Sequence, residues 1–170
     1  SPSNDAISCG NINPQIIVKN NGQNLITQIE ISYNIDNEPT VFQTWNGSIG
    51  SLGQEVIDIG NLNIAFGTQI LSVSVDIEND AYATNNSKNT FIRANKPGET
   101  QTVYTFESEN DDLLVTADSG DLWERGVPAG SQLNSTFSGV KAYATNLDGD
   151  YSNNTKSFLY SPCFDLSSIQ

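Results

Sequence analysis

Two acidic stretches, residues 107–121 and 146–153, carry the side chains best suited to chemistry. Their acidic residues are Glu107, Glu109, Asp111, Asp112, Asp118 and Asp121 in the first stretch and Asp148 and Asp150 in the second. Hard cations such as Ca²⁺ bind several carboxylate and carbonyl oxygens on a flexible loop. Both stretches are therefore candidate calcium sites.

The second stretch reads Asn-x-Asp-Gly-Asp from Asn146 to Asp150, which is part of a calcium-loop pattern. It lacks the glutamate that an EF-hand places at its twelfth position. Turn formation and solubilising charge are the alternative and the favoured interpretation for this stretch. For residues 107–121 the two interpretations stay open.

Paired carboxylates could also perform acid/base chemistry on a glycoside. Glu107, Glu109 and Asp111 alternate, so on a strand they would share one face. Two carboxyl groups about 5–9 Å apart suit glycoside hydrolysis. We favour the alternative, an acidic strand end that runs into a solvated loop, because no aromatic sugar platform accompanies these residues.

The composition excludes several functional classes. The chain has no His, which removes the Ser-His-Asp triad and the HExxH zinc motif. Its net charge is −13 with only seven basic residues, which argues against a nucleic-acid partner. No apolar run approaches the roughly 20 residues of a membrane-spanning helix, so membrane insertion is not expected.

The two cysteines, Cys9 and Cys163, lie in different halves of the chain. An isolated cysteine is usually a small buried apolar residue, and we favour two buried free thiols. The alternative is a Cys9–Cys163 disulfide in an oxidising compartment.

Seven short strands are predicted in the first 95 residues. Ile29, Ile31, Tyr33 and Ile35 alternate with polar residues, as do Leu71, Val73, Val75 and Ile77, and this period is typical of strands with one buried face. The other predicted strands are Asp5–Cys9, Gln15–Lys19, Val41–Trp45, Val56–Ile59 and Thr90–Arg93. Such spacing favours an immunoglobulin-like β-sandwich over residues 1–94.

Residues 95–101, with Lys96-Pro97-Gly98, are the predicted linker. Beyond it, the runs Phe137–Thr145 and Phe158–Tyr160 predict strands separated by a turn-rich loop. Trp45 and Trp123 are expected to pack in the core, and Tyr151 to be exposed. The fold class is therefore all-β throughout.

Two resemblances extend this interpretation. The patterns Trp-Glu-x-Gly-x-Pro (from Trp123), Ser-Gly-x-x-Ala-Tyr-Ala-Thr-Asn-Leu (from Ser138) and Leu-x-Ser-Pro-x-Phe-Asp-Leu (from Leu159) resemble the MAM-like jelly-roll domain of immune inhibitor A and of many Bacteroidetes exoproteins. Val18-Lys19-Asn20-Asn21-Gly22 and Trp45-Asn46-Gly47 look like an adhesion module of the CARDB class. The resemblance implies an Ig-like sandwich followed, over 102–170, by an incomplete jelly roll, because a full one has about eight strands.

The resemblance also implies the context. Adhesion modules of the CARDB class often follow the catalytic domain of secreted Bacteroidetes metallopeptidases of the cytophagalysin type, which implies type IX secretion. Jelly-roll modules of the resembled kind often hold one structural ion near their first strand, which points to Glu107. We expect a secreted or cell-surface, non-catalytic accessory or adhesion region whose partner is an extracellular protein or glycan, or the parent's own catalytic domain. The expected metal residues are Glu107, Asp112, Asp148 and Asp150. The alternatives are a carbohydrate-binding module and a glycosidase-like jelly roll.

Overall fold

The computed structural model describes residues 7–100 and 102–167. The chain divides into two compact units, Ser1–Ala94 and Asn95–Gln170. Asp5 and Ala6 of the predicted first strand lie outside the described residues. Among those that are described, the regular structure consists of strands and two short 3-10 turns, and no helix is long and apolar enough to cross a membrane. The prediction of an all-β sandwich fold is confirmed.

The first unit contains two β-sheets. A five-stranded sheet has the order β1-β7-β6-β3-β4, and β2 pairs with β5 in a two-stranded sheet. In chain order the strands are β1 (Ile7–Ser8), β2 (Gln15–Lys19), β3 (Ile26–Ile35), β4 (Val41–Ile49), β5 (Gln54–Asp58), β6 (Gly67–Asp76) and β7 (Ser87–Ala94). A 3-10 turn, Ala83–Asn85, lies between β6 and β7. All strand pairs are antiparallel except β1 with β7, which is parallel.

The core of this unit forms where the apolar faces of the two sheets meet. Ile29 and Ile31 of β3 are fully buried, and the alternate residue Glu30 is exposed, as the period-two pattern predicts. Val18 of β2 and Ile57 of β5 belong to the same buried cluster. Trp45 packs against this cluster in a partly buried position.

A buried polar side chain holds the turn between β2 and β3. Asn20 is 4% exposed, and its Nδ2 group donates to the carbonyl oxygens of Asn24 (2.7 Å) and Ile49 (2.9 Å). Its Oδ1 atom accepts from the Gly22 N–H at 2.9 Å. A buried amide is stable only when its donors and acceptors are paired, and here both ends of the amide are used.

The second unit contains four short strands in two antiparallel pairs. Strand β8 (Leu114–Ser119) pairs with β11 (Lys156–Tyr160), and β9 (Glu124–Gly126) pairs with β10 (Ala142–Ala144). Its buried apolar residues, in the part of the chain that is described, are Leu114, Pro128, Ala144 and Pro162. With so small an apolar core, hydrogen bonds from polar side chains carry much of the organisation of this unit.

Residues at the start of the second unit pack onto the segment that follows its last strand. The Asn95 side chain, 7% exposed, donates to the Ser161 carbonyl oxygen at 2.7 Å, and Gly98 N donates to Cys163 O at 2.8 Å. The sequence assigns these residues to a linker. The assignments of the two units to the immunoglobulin-like and jelly-roll classes stay predictions.

The prediction of free thiols is wrong, and the strand that the glycosidase alternative requires does not form. Cys9 and Cys163 are both disulfide-bonded, so neither is a free thiol. Residues 107–111 do not form a strand: Glu109–Asp111 is a 3-10 turn, which the Ser108 hydroxyl caps by accepting from Asn110 N at 3.1 Å. Glu107, Glu109 and Asp111 therefore do not share one strand face.

Candidate functional site

The Glu107 carboxylate binds a loop of its own unit. Its Oε1 atom accepts hydrogen bonds from the backbone N–H groups of Val140 at 2.8 Å and Lys141 at 3.0 Å. The Lys141 ammonium donates in turn to the Glu107 carbonyl oxygen at 3.0 Å. Gly139, with a φ of 68°, lets the backbone curl around the carboxylate so that successive N–H groups converge on one oxygen.

These contacts fix the protonation state of Glu107. The N–H of Lys141 and then that of Val140 lower the pKa of the Glu107 carboxyl below its ordinary value of 4.5, because both stabilise the anion. Glu107 is therefore ionised at neutral pH. A general acid needs the opposite shift, so this environment does not suit Glu107 to protonate a leaving group.

Asp112 is bound to the arginine of β9. The Arg125 Nε group donates to Asp112 Oδ1 at 2.6 Å, and Arg125 Nη1 donates to the Phe106 carbonyl oxygen at 3.0 Å. The Arg125 side chain is 11% exposed and that of Asp112 is 47% exposed. The hydrogen bond to Asp112 raises the pKa of Arg125 further above its ordinary value, which keeps the guanidinium charged.

An aromatic pair completes this cluster. Phe106 and Tyr143 contact each other edge to face with ring centroids 5.4 Å apart, and the Tyr143 hydroxyl oxygen accepts from Leu113 N at 2.7 Å. The sequence did not single out Arg125. Its only signal in the sequence is that basic residues are few, seven in the whole chain. A buried arginine needs a carboxylate partner.

Asp148 and Asp150 lie in an exposed turn organised by Asn146. The Asn146 Oδ1 atom accepts from the N–H groups of Asp148 (3.1 Å) and Gly149 (3.0 Å), and Asn146 Nδ2 donates to the Asp150 carbonyl oxygen at 2.9 Å. Asparagine side chains commonly bind their own turn in this way. The turn therefore forms without using either carboxylate.

Two further carboxylates hold residues 146–153 to the strand region of the second unit. Glu124 Oε1 accepts from Leu147 N at 2.8 Å, and Asp121 Oδ1 accepts from the Ser152 hydroxyl at 3.0 Å. Glu124 of β9 and Asp121 of the first stretch thus anchor the second stretch through its N–H and O–H donors.

The contacts of the four predicted metal residues are therefore dispersed. Glu107 and Asp112 each accept protein N–H donors, and Asp148 and Asp150 belong to the exposed turn. Within residues 7–100 and 102–167, no group of three or more His, Cys, Asp or Glu side chains is placed to hold a metal ion. These residues do not form a calcium cage by themselves, and calcium binding stays a prediction.

A small aromatic pocket lies on the second unit. Its volume is about 350 Å³, and its lining residues are Trp123, Thr145, Tyr151, Thr155, Lys156 and Ser157. Tyr151 is 68% exposed, as predicted, and Trp123 is half-buried. An aromatic face beside hydroxyl groups and an ammonium group can stack on a sugar ring or an extended peptide and hydrogen-bond to it.

Comparison with protein-family models, curated proteins and solved structures yields no match for this chain.

Proposed function

We propose that this chain is a non-catalytic accessory or adhesion region of a larger secreted bacterial protein, of the kind found beside the catalytic domain of an extracellular metallopeptidase. It spaces that domain and binds an extracellular polymer. The observation that carries the proposal is the state of Glu107. Glu107 is the residue that the sequence offers for acid/base chemistry. Its carboxylate is ionised and accepts hydrogen bonds from two backbone N–H groups, so it serves a structural contact.

The two cysteines support an extracellular location. Both are disulfide-bonded, and disulfides persist in oxidising environments such as the outside of the cell. The net charge of −13 keeps a chain of this size soluble and repels anionic surfaces. The partner is an extracellular protein or glycan, or the parent's own catalytic domain.

A sedimentation assay tests polymer binding. The purified chain is mixed with insoluble collagen, and in parallel with cellulose and chitin, and the bound fraction is measured after centrifugation. We expect sedimentation with collagen that Trp123→Ala reduces and Trp45→Phe, in the other unit, leaves unchanged. A chain that stays in the supernatant with every polymer contradicts the binding role.

The aromatic pocket supports carbohydrate binding as the second candidate. Trp123 and Tyr151 line this pocket together with Thr155 and Ser157. Under this alternative the chain sediments with cellulose or chitin and not with collagen, and Tyr151→Ala removes that binding.

The glycosidase alternative has a separate test. Glu107→Gln leaves the turnover of glycoside substrates unchanged under the proposed function, because Glu107 serves as a hydrogen-bond acceptor for the loop. If the unsubstituted chain turns over a glycoside and the Glu107→Gln variant does not, the non-catalytic role is contradicted.

A further inference from the structure

The first unit contains an open cleft between its two sheets. The five-stranded sheet is much wider than the β2-β5 pair that covers it. Strand β5 lies toward β4, since Gln43 Nε2 donates to the Asp58 carbonyl oxygen at 3.1 Å. The uncovered width therefore lies beside β2, where a cleft of about 1710 Å³ is lined by β2, β6 and the residues that follow each of them.

The edge of β2 that borders this cleft has backbone groups available for a further strand. Asn20 N donates to Gly53 O at 2.9 Å and Ile59 N donates to Pro14 O at 3.2 Å, which fixes the even-numbered residues of β2 as those that bond to β5. The N–H and C=O groups of Ile17 and Lys19 consequently point to the opposite side. Within 7–100 and 102–167, β5 is the strand that pairs with β2.

The floor of the cleft is apolar. Val73 and Val75 of β6, followed by Ile77, repeat with a period of two and are half-buried, while Val18 of β2 is 8% exposed. A strand added beside β2 would direct alternate side chains onto this row, because successive side chains of a strand point to opposite faces. The added segment should therefore be apolar at every second position.

The acidic residues at one end of the cleft indicate that its occupant is positively charged. The lining includes Asp76, Glu78 and Asp80, which outnumber the basic Lys19 and Lys88. The N–H of Tyr82, then the side chain of Asn86, lowers the pKa of Asp80, so this carboxylate is charged at neutral pH. A cationic residue near this end would be attracted to the three carboxylates.

We propose that the open edge of β2 binds an extended, basic segment of another polypeptide, which adds to the sheet as a strand. Its backbone pairs with Ile17 and Lys19, its alternate apolar side chains cover Val73 and Val75, and its lysine or arginine lies near Glu78 and Asp80. Main-chain pairing supplies affinity in this mode of recognition, and the pockets for alternate side chains supply specificity. The cleft accepts such a segment whether or not the chain belongs to a larger exoprotein.

The probe is a short synthetic peptide that alternates Val with Thr and carries Lys at both ends. Its control carries Glu in place of both Lys residues. Binding is measured by fluorescence anisotropy of the labelled peptide, and the amide hydrogens of β2 are followed by hydrogen exchange. We expect the basic peptide to bind at least roughly tenfold more tightly than the acidic one and to slow exchange at Ile17 and Lys19.

Two proline variants form a matched pair. Ile17 and Val56 face each other across β2 and β5, and they are 60% and 50% exposed. Neither residue's N–H is used between these two strands, and proline is tolerated at such edge positions. We expect Ile17→Pro to weaken peptide binding roughly tenfold or more and Val56→Pro, on the opposite edge, to leave it unchanged.

Three results would overturn the proposal. Equal loss of binding in both proline variants would mean that the peptide does not use the β2 edge. Protection of the Ile17 and Lys19 amides without peptide, at every protein concentration, would mean that the chain covers its own edge. Protection that grows with protein concentration would assign the edge to a second copy.

Discussion

Gly139 lies against the Glu107 carboxylate so closely that a Cβ atom at residue 139 would overlap Oε1. The φ of Gly139 is 68°, a conformation that costs a residue with a Cβ atom energy even without that overlap. The loop before β10 therefore needs glycine for two independent reasons.

Gly139→Ala should destabilise the second unit by about 1–3 kcal/mol, the usual cost of a strained backbone position. The chain has one tryptophan in each unit, so a Trp45→Phe background lets Trp123 fluorescence report urea unfolding of the second unit. Gly149→Ala is the control, because a Cβ atom there would meet Asn146 Nδ2 at an ordinary 3.4 Å. Equal effects of the two substitutions would contradict the prediction.

Acid should weaken the second unit through Glu107. Its pKa is lower in the folded chain than the ordinary 4.5. The stabilisation is therefore complete above about pH 4.5 and is lost as the pH falls through the folded pKa. Urea midpoints measured between pH 7 and pH 3 should decline below this point.

Glu107→Gln should make that decline shallower, since its amide oxygen still accepts the two N–H groups but does not titrate. A smaller decline should remain, because the side-chain hydroxyl and then the backbone N–H of Ser167 lower the pKa of Asp165 as well. Identical pH profiles for Glu107→Gln and the unsubstituted chain would show that Glu107 does not contribute.

The Arg125–Asp112 ion pair should matter far more than an exposed pair. Arg125→Met leaves the Phe106 carbonyl and the Asp112 carboxylate without their donor, at a cost of about 1–3 kcal/mol. Lys156→Met is the control, because Lys156 binds Asp118 at 2.6 Å with side chains that are 65% and 54% exposed, and such pairs contribute about 0–1 kcal/mol. Urea unfolding that ranks the two variants in the reverse order would contradict this.

Asn20→Ala should be the most damaging polar substitution in the first unit. It removes both donors to Asn24 and Ile49 and the acceptor for Gly22, and we expect a loss of about 2–3 kcal/mol. Unfolding is followed by Trp45 fluorescence in a Trp123→Phe background. Asn21→Ala, at the exposed neighbouring position, should change stability by less than about 0.5 kcal/mol.

The predicted calcium site is tested by chelation. Glu107 Oε1 and Asp112 Oδ1 already accept protein N–H donors, and Asn146 closes its turn without the Asp148 and Asp150 carboxylates. A bound calcium ion would therefore use the remaining oxygens of these residues, and EDTA should then lower the Tm of the second unit. A Tm that EDTA leaves unchanged would contradict the calcium prediction.

Local alternation is enough to predict β3 and β6 of the first unit. Ile29 and Ile31 are buried and Glu30 is exposed because a period of two places them on opposite faces, and this information lies within a few neighbouring residues. Pro14 and Asn20-Asn21-Gly22 bracket the strand Gln15–Lys19, and they predict its observed bounds.

The candidate site depends on contacts between distant residues. The run Phe137–Thr145 looks like one strand, but only Ala142–Ala144 forms strand β10. Glu107, more than thirty positions earlier, takes the N–H groups of Val140 and Lys141 that a longer strand would need for its ladder. No periodicity within residues 137–145 encodes that partner, and the same holds for Arg125 and Asp112.

The parallel pairing of β1 with β7 has a mechanical consequence. Ile7 and Ser8 of β1 pair with Arg93 and Ala94 of β7. The first described strand and the last strand of this unit are therefore neighbours that run in the same direction. Tension that pulls these two ends of the unit apart acts along the strand axes, and the bonds between them share the load instead of opening one after another. The two strands would therefore separate by sliding along their axes and not by unzipping.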